Sequence, residues 1–131
     1  MEPLLHNRKS TVVIAAKQGR LKRYDVALYH LPTGEYVLHR VIKVLDGSYL
    51  IRGDNCIWDE VVPEAQIIGV MTDYYPNEHS DPISCNSKIY QQYLKTLWRR
   101  YFLLKIRSFS GRIRRKAASL VHSLRDNKKN F

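Results

Sequence analysis

The sequence has little cysteine. Its two cysteines, Cys56 and Cys85, stand far apart, with neither a CxxC spacing nor a paired histidine motif. A zinc site or a disulfide-rich scaffold is therefore not supported, and we expect no metal and no cofactor. We expect two free thiols in a reducing compartment, although counting alone leaves a single bridge between them open.

Long apolar runs are also missing. No stretch approaches the roughly 20 residues that span a bilayer, and the first residues lack the charged and then apolar pattern of a secretory signal. We therefore expect a cytoplasmic or peripheral membrane protein, with no transmembrane segment in this chain.

Acidic residues are nearly absent from the last third of the chain. Residues 86–131 contain 13 Lys and Arg against the single Asp126, whereas residues 1–85 contain 9 Lys and Arg against 11 Asp and Glu. The formal net charge of +10 thus belongs to the C-terminal segment. A charge of this kind favours a partner with phosphate or anionic lipid, but only for that segment.

Residues 1–74 alternate short β-branched runs with turns, which predicts a mainly β fold with a compact antiparallel or barrel-like core. Both faces of Glu35 to Leu45 mix apolar and polar side chains, so this strand is expected inside the sheet. Asp46-Gly47 predicts a hairpin turn into a strand over 48–52. A loop is expected from Gly53 to Pro63, before a last strand over 66–72.

Beyond this core the pattern changes. Residues 75–87 are rich in Pro, Asn and Ser, which predicts a linker. Apolar residues then recur at helical spacing from Lys88 to Ile106, with polar and basic residues on the opposite side. Ser108 to Gly111 predicts a break before a second amphipathic helix that groups Ile113 with Leu124. Residues 88–131 are thus expected to form a basic tail of two amphipathic helices.

Four short motifs, in order, resemble the boxes of the signal-peptidase-like (S24/S26) serine peptidases. The strand motif GDVxL is similar to Tyr24-Asp25-Val26-Ala27-Leu28, with Tyr24 in place of the glycine. The box with the catalytic base, in its His-bearing variant, is similar to Leu38-His39-Arg40-Val41. The GDN box is similar to Arg52-Gly53-Asp54-Asn55, followed by Val62-Pro63-Glu64 and Ile68-Gly69. The end of the nucleophile motif S-M-x-P-[LT]-[LI] is similar to Met1-Glu2-Pro3-Leu4-Leu5.

The resemblance implies a coiled antiparallel β domain that cleaves a leader or precursor peptide. His39 would be the general base, and Asp54 would orient its imidazole. Met1 and Pro3 would flank the nucleophilic serine, which would stand one position before Met1. We expect either a start further upstream, which a motif cut at its internal methionine favours, or a relative that has lost its nucleophile.

Each of these residues has a second interpretation. A histidine on a strand is often simply half-buried, and Asp54 is what an ordinary turn contains. Cys56 is a conceivable thiol nucleophile but is more typical of a small apolar loop residue, and Ser10 stands too far along the chain to replace the expected serine. The second hypothesis is therefore a non-catalytic peptide- or membrane-binding relative.

The basic tail allows three interpretations. A cationic amphipathic helix with aromatic residues could lie on an anionic membrane surface, but the same pattern is also typical of helices packed on their own domain. Nucleic-acid binding is the third hypothesis, and it is disfavoured because no helix-turn-helix precedes the core. The oligomeric state is not predicted.

Overall fold

The computed structural model describes residues 1–127, with side chains described to residue 107. The mainly β fold predicted from the sequence is confirmed. The elements of the described chain are, in order, β1 (Thr11–Ala16), β2 (Val26–His30), β3 (Tyr36–Leu45), β4 (Ser48–Arg52), β5 (Glu60–Pro63), a 3₁₀ turn (Glu64–Gln66), β6 (Ile67–Tyr75), β7 (Ile83–Ser84) and α1 (Lys88–Asn127).

The strands form one antiparallel sheet in the order β1, β6, β2, β3, β4, β5, with β7 paired to β6. Strand β3 lies inside, between β2 and β4, as its mixed faces predict. The predicted hairpin is also present, since Leu45 stands opposite Ser48. Gly47 has φ 62° in this turn, a conformation that glycine adopts at little cost.

Two short strands lie where the sequence predicts loop or linker. β5 pairs with β4 inside the predicted loop, where Val62 is buried opposite Tyr49. β7 pairs with β6 at Asp73 and Tyr74, within the segment 75–87 predicted to be a linker. Both strands are too short, at four and two residues, for their alternation to stand out in the sequence.

The C-terminal segment forms one helix, not two. α1 runs from Lys88 to Asn127 without the break predicted at Ser108 to Gly111. A single glycine within a helix costs only about 1 kcal/mol relative to alanine, which is too little to end it. The predicted clustering of Ile113 with Leu124 and the residues 128–131 lie outside the part of the chain whose side chains are described.

Two hydrophobic clusters lie on opposite sides of the strands. Val26 and Ala27 are neighbours in β2, where successive side chains point to opposite faces, and they belong to different clusters. The cluster around Ala27 includes Tyr29, Val41 and Ile51. The cluster around Val26 includes Leu4, Met71, Tyr74 and, from α1, Tyr90. The first turns of α1 therefore belong to the core of the domain.

Candidate active site

His39 lies in the middle of β3 on the Ala27 side of the sheet. It stands opposite Ala27 in β2, and paired residues on neighbouring strands share a face. The side chain is half-buried, and its ring meets the edge of the Tyr29 ring with 6.3 Å between centroids. The central position of β3 therefore holds the imidazole between a packed core and solvent.

One hydrogen bond fixes the orientation of the imidazole. His39 Nδ1 lies 2.6 Å from the carbonyl oxygen of Leu38. Because a carbonyl oxygen can only accept, Nδ1 is the protonated nitrogen, and in the neutral ring Nε2 has the free lone pair. No second hydrogen bond to the ring occurs among the described residues. Nε2 is therefore available to take a proton.

Gly53 leaves room for the His39 ring. A Cβ at position 53 would stand 2.9 Å from His39 Cε1 and 3.0 Å from Cys56 Sγ. Real Cβ atoms do not approach this closely, so only glycine fits this place without movement of its neighbours. Cys56, an exposed residue, therefore lies close to the imidazole. A turn brings it there, in which the Cys56 amide donates to the Gly53 carbonyl at 2.9 Å. Both cysteines are free.

The carboxylate of Asp54 forms a buried ion pair with Arg40. Arg40 Nε donates to Oδ1 at 2.7 Å and Nη2 donates to Oδ2 at 2.6 Å, and both side chains are 0% exposed. The remaining nitrogen of the guanidinium, Nη1, donates to the Tyr24 carbonyl. This paired geometry is the strong form of an arginine–carboxylate contact. Burial opposes the charged guanidinium, but the bonds and charge of Asp54 outweigh it, so the pKa of Arg40 lies above its ordinary value.

Three tyrosines of α1 complete what we call the Asp54 network, which consists of Arg40, Asp54, Tyr90, Tyr93 and Tyr101. Tyr93 donates to Asp54 Oδ2 at 2.7 Å, Tyr101 donates to Oδ1 at 3.3 Å, and Tyr90 accepts from Arg40 Nη1 at 2.6 Å. Burial, followed by the nearby Asp54 charge, raises the pKa of Tyr93 and of Tyr101. Burial also raises the pKa of Tyr90 to about 12. The three phenols are therefore neutral.

The structure does not bring Asp54 to His39. Arg40 stands opposite Val26, so it occupies the other face of β3 from His39, and it holds Asp54 on that face. The predicted orienting contact between Asp54 and His39 is thus absent from the described residues. The Leu38 carbonyl makes the contact that the sequence assigned to Asp54. Gly53, the residue before Asp54, connects the two faces. It contacts the His39 ring on one face, while Asp54 binds Arg40 on the other.

The residues predicted to flank the nucleophile lie at the edge of the second cluster. Met1 packs against the cluster that contains Val26, on the face of the sheet opposite His39. Pro3 is exposed. Ser10 has a structural part, since its hydroxyl donates to the Pro76 carbonyl at 2.9 Å and accepts from the His6 amide.

The sequence reasoning missed Arg40, Tyr93 and Tyr101. The one signal for Arg40 in the sequence was its position as a charged residue on a largely apolar strand. If such a strand lies inside the domain, the arginine is buried and requires a partner. The tyrosines stood in the predicted apolar stripe of the helix, but nothing in that stripe marks their hydroxyl partners.

Replacing Gly53 by alanine is expected to displace the His39 ring without unfolding the domain. The new methyl would overlap the ring and the Cys56 thiol, both of which are side-chain atoms that can move. Such overpacking typically costs about 1–3 kcal/mol. We expect a changed His39 ring signal in the NMR spectrum and a moderate loss of unfolding free energy. Gly34→Ala has open space around its Cβ but a φ of 94°, so it measures the cost of backbone strain without overlap, whereas Gly53→Ala introduces overlap without a positive φ. An unchanged His39 signal in Gly53→Ala would contradict the contact.

Neither a metal group nor a membrane-spanning helix occurs in the part of the chain that the structure describes. No three His, Cys, Asp or Glu side chains there are grouped so that they could hold a metal ion. No helix there is both long enough and apolar enough to cross a bilayer.

Comparison with protein-family models, curated proteins and solved structures gave no match to this chain. The fold and the site together define a mainly β domain with a half-buried histidine on one face and a buried ion pair on the other.

Proposed function

We propose that this chain is the core of a serine endopeptidase of the signal-peptidase-like class, with His39 as the general base. The observation that carries the proposal is the hydrogen bond from His39 Nδ1 to the Leu38 carbonyl, which leaves Nε2 of this half-buried side chain as the proton acceptor. The motif resemblance supplies the nucleophile, a serine directly before Met1. The mechanism requires this serine to reach the face of β3 that carries His39, although Met1 itself packs on the other face. Hydrolysis of a leader or precursor peptide is the reaction class that this resemblance implies.

In this mechanism Nε2 accepts the proton of the serine hydroxyl as its oxygen attacks the carbonyl carbon of the substrate. The proton then passes from Nε2 to the leaving amine as the C–N bond breaks. Water repeats the two steps on the acyl ester and restores the serine. The Leu38 carbonyl faces the positive charge that develops on the ring, and so takes the part that a carboxylate has in other hydrolases.

Asp54 acts in this proposal as a positioning residue. Its carboxylate is bound on both oxygens by Arg40, and it follows directly after Gly53, which contacts the His39 ring. The Asp54 network therefore fixes the turn against which the imidazole packs. Asp54 has no part in proton transfer.

A second candidate is a non-catalytic peptide-binding relative on the same scaffold. The observation that favours it is the full set of structural partners around Asp54, which explains this buried carboxylate without any catalytic role. Such a protein could pair an extended peptide with β5, which lies at one edge of the sheet and exposes Val61.

Covalent labelling separates the two candidates. We expect a chain extended by one serine before Met1 to form a single adduct with a fluorophosphonate probe, located at that serine by mass spectrometry. The matched control is the same extension with alanine, which should remain unlabelled because the Ser10 hydroxyl is engaged in structural bonds. No adduct on the serine-extended chain, or equal labelling of both chains, would favour the binding protein.

A further inference from the structure

The outer side of α1 carries a continuous apolar patch. Trp98, Phe102, Leu103 and Ile106 are 65%, 60%, 59% and 49% exposed, and we call them the outer patch. Side chains three or four positions apart are neighbours on a helix surface, so these four adjoin one another. Apolar side chains grouped in this way mark an interaction surface, whereas single exposed ones do not.

The outer patch is not part of the contact between α1 and its own domain. That contact uses another side of the helix, where Tyr90 and Leu97 are 3% and 1% exposed and Tyr93 and Tyr101 bind Asp54. The sheet thus holds one side of α1 firmly and leaves the outer patch in solvent. Packing of α1 on its own domain therefore explains the apolar residues on the buried side of the helix. It does not explain those of the outer patch.

Basic side chains surround the outer patch. Lys95, Arg99 and Lys105 are exposed and stand within four positions of its members. From residue 88 to residue 107 the sequence has six Lys and Arg and no Asp or Glu. The patch therefore combines aromatic and aliphatic groups with a positive field that no acidic residue of this segment offsets.

We infer that the outer patch docks this protein on an anionic lipid bilayer. Trp98 and Phe102 would enter the boundary between headgroups and acyl chains, and the basic side chains would bind lipid phosphates. A second copy of the chain is disfavoured as the occupant, because facing patches would bring like charges together. Nucleic acid would attract the basic side chains but offers no hydrocarbon for Leu103 and Ile106. The inference does not depend on the peptidase proposal.

Vesicle cosedimentation of the full chain tests the inference. We expect binding to phosphatidylcholine vesicles in which about a third of the lipid is phosphatidylserine, and much weaker binding to pure phosphatidylcholine. The double variant Trp98→Ser and Phe102→Ser should lower the partition coefficient by about tenfold or more, because two large side chains no longer leave water. Ile89→Ser is the matched control. Ile89 is 62% exposed but stands nine positions before Trp98, about two and a half turns, and points away from it.

Tryptophan fluorescence gives an independent measurement. The chain has two tryptophans, so Trp58→Phe leaves Trp98 as the single reporter. With phosphatidylserine vesicles its emission should move to shorter wavelength, and lipid-borne quenchers at shallow depth should reduce it. Lys95→Glu with Lys105→Glu should weaken this response and reduce its sensitivity to salt.

Four outcomes would overturn the inference. The first is absence of vesicle binding at low salt. The second is an equal loss of binding in Ile89→Ser and in the Trp98 and Phe102 double variant. The third is a concentration-dependent dimer that the double variant abolishes, which would assign the outer patch to a second copy. The fourth is DNA binding that requires Trp98 and displaces the chain from vesicles at matched salt, which would assign the outer patch to nucleic acid.

Discussion

Replacing His39 by alanine in the serine-extended chain should slow fluorophosphonate labelling and peptide cleavage by about 10³-fold. The serine hydroxyl is a poor nucleophile unless a base removes its proton during attack. In the proposed mechanism His39 Nε2 performs that step, and the hydrogen bond of Nδ1 to the Leu38 carbonyl fixes the tautomer of the ring. The second-order rate constant of labelling, followed by intact mass, measures the effect directly.

His30→Ala is the matched control for this loss. His30 ends the neighbouring strand β2, is exposed, and makes an edge-to-face contact with the Tyr36 ring. We expect its removal to leave labelling unchanged. Thermal unfolding of both variants should stay close to that of the parent chain, because neither side chain is fully buried. An equal rate in His39→Ala and the parent would remove His39 from the chemistry, even if the serine were labelled.

Local patterns in the sequence were sufficient for most of the β domain. Asp46-Gly47 predicts its hairpin because the turn requires a positive φ, which Gly47 adopts. The mixed faces of β3 predict a strand with neighbours on both sides, and β2 and β4 occupy those positions. Both predictions depend only on residues that are close together in the chain, and a local sequence pattern is sufficient to make them.

Contacts between distant residues could not be predicted in the same way. Asp54 lies in a turn that could direct its carboxylate to either face of β3. Its hydrogen bonds with Arg40, fourteen positions earlier, determine which face it occupies. The apolar stripe of α1 likewise groups Leu97 with Trp98, although one is buried and the other exposed. Only the docking of α1 on the sheet separates them, and that docking depends on tyrosine hydroxyls whose partner is Asp54.

Replacing Asp54 by asparagine should lower the free energy of unfolding by about 3–5 kcal/mol. The change is nearly isosteric, so the loss comes from leaving the guanidinium of Arg40 buried without its counter-charge. Tyr93 and Tyr101 also lose a charged acceptor, which loosens the first turns of α1 from the sheet. Urea unfolding followed by circular dichroism measures the change.

Two further variants show whether charge burial is the cause of this loss. Glu64→Gln removes a carboxylate from the partly exposed pair with Lys17 and should cost much less than Asp54→Asn, because solvent screens this pair. Arg40→Met combined with Asp54→Asn should recover part of the loss seen in Asp54→Asn, because no unpaired charge then stays inside the domain. If the combined variant is less stable than Asp54→Asn alone, the remaining bonds of Arg40 to Tyr24 and Tyr90 outweigh the cost of its unpaired buried charge. In that case the bond between Arg40 and Tyr90 contributes more than Asp54 does to the hold of the sheet on α1.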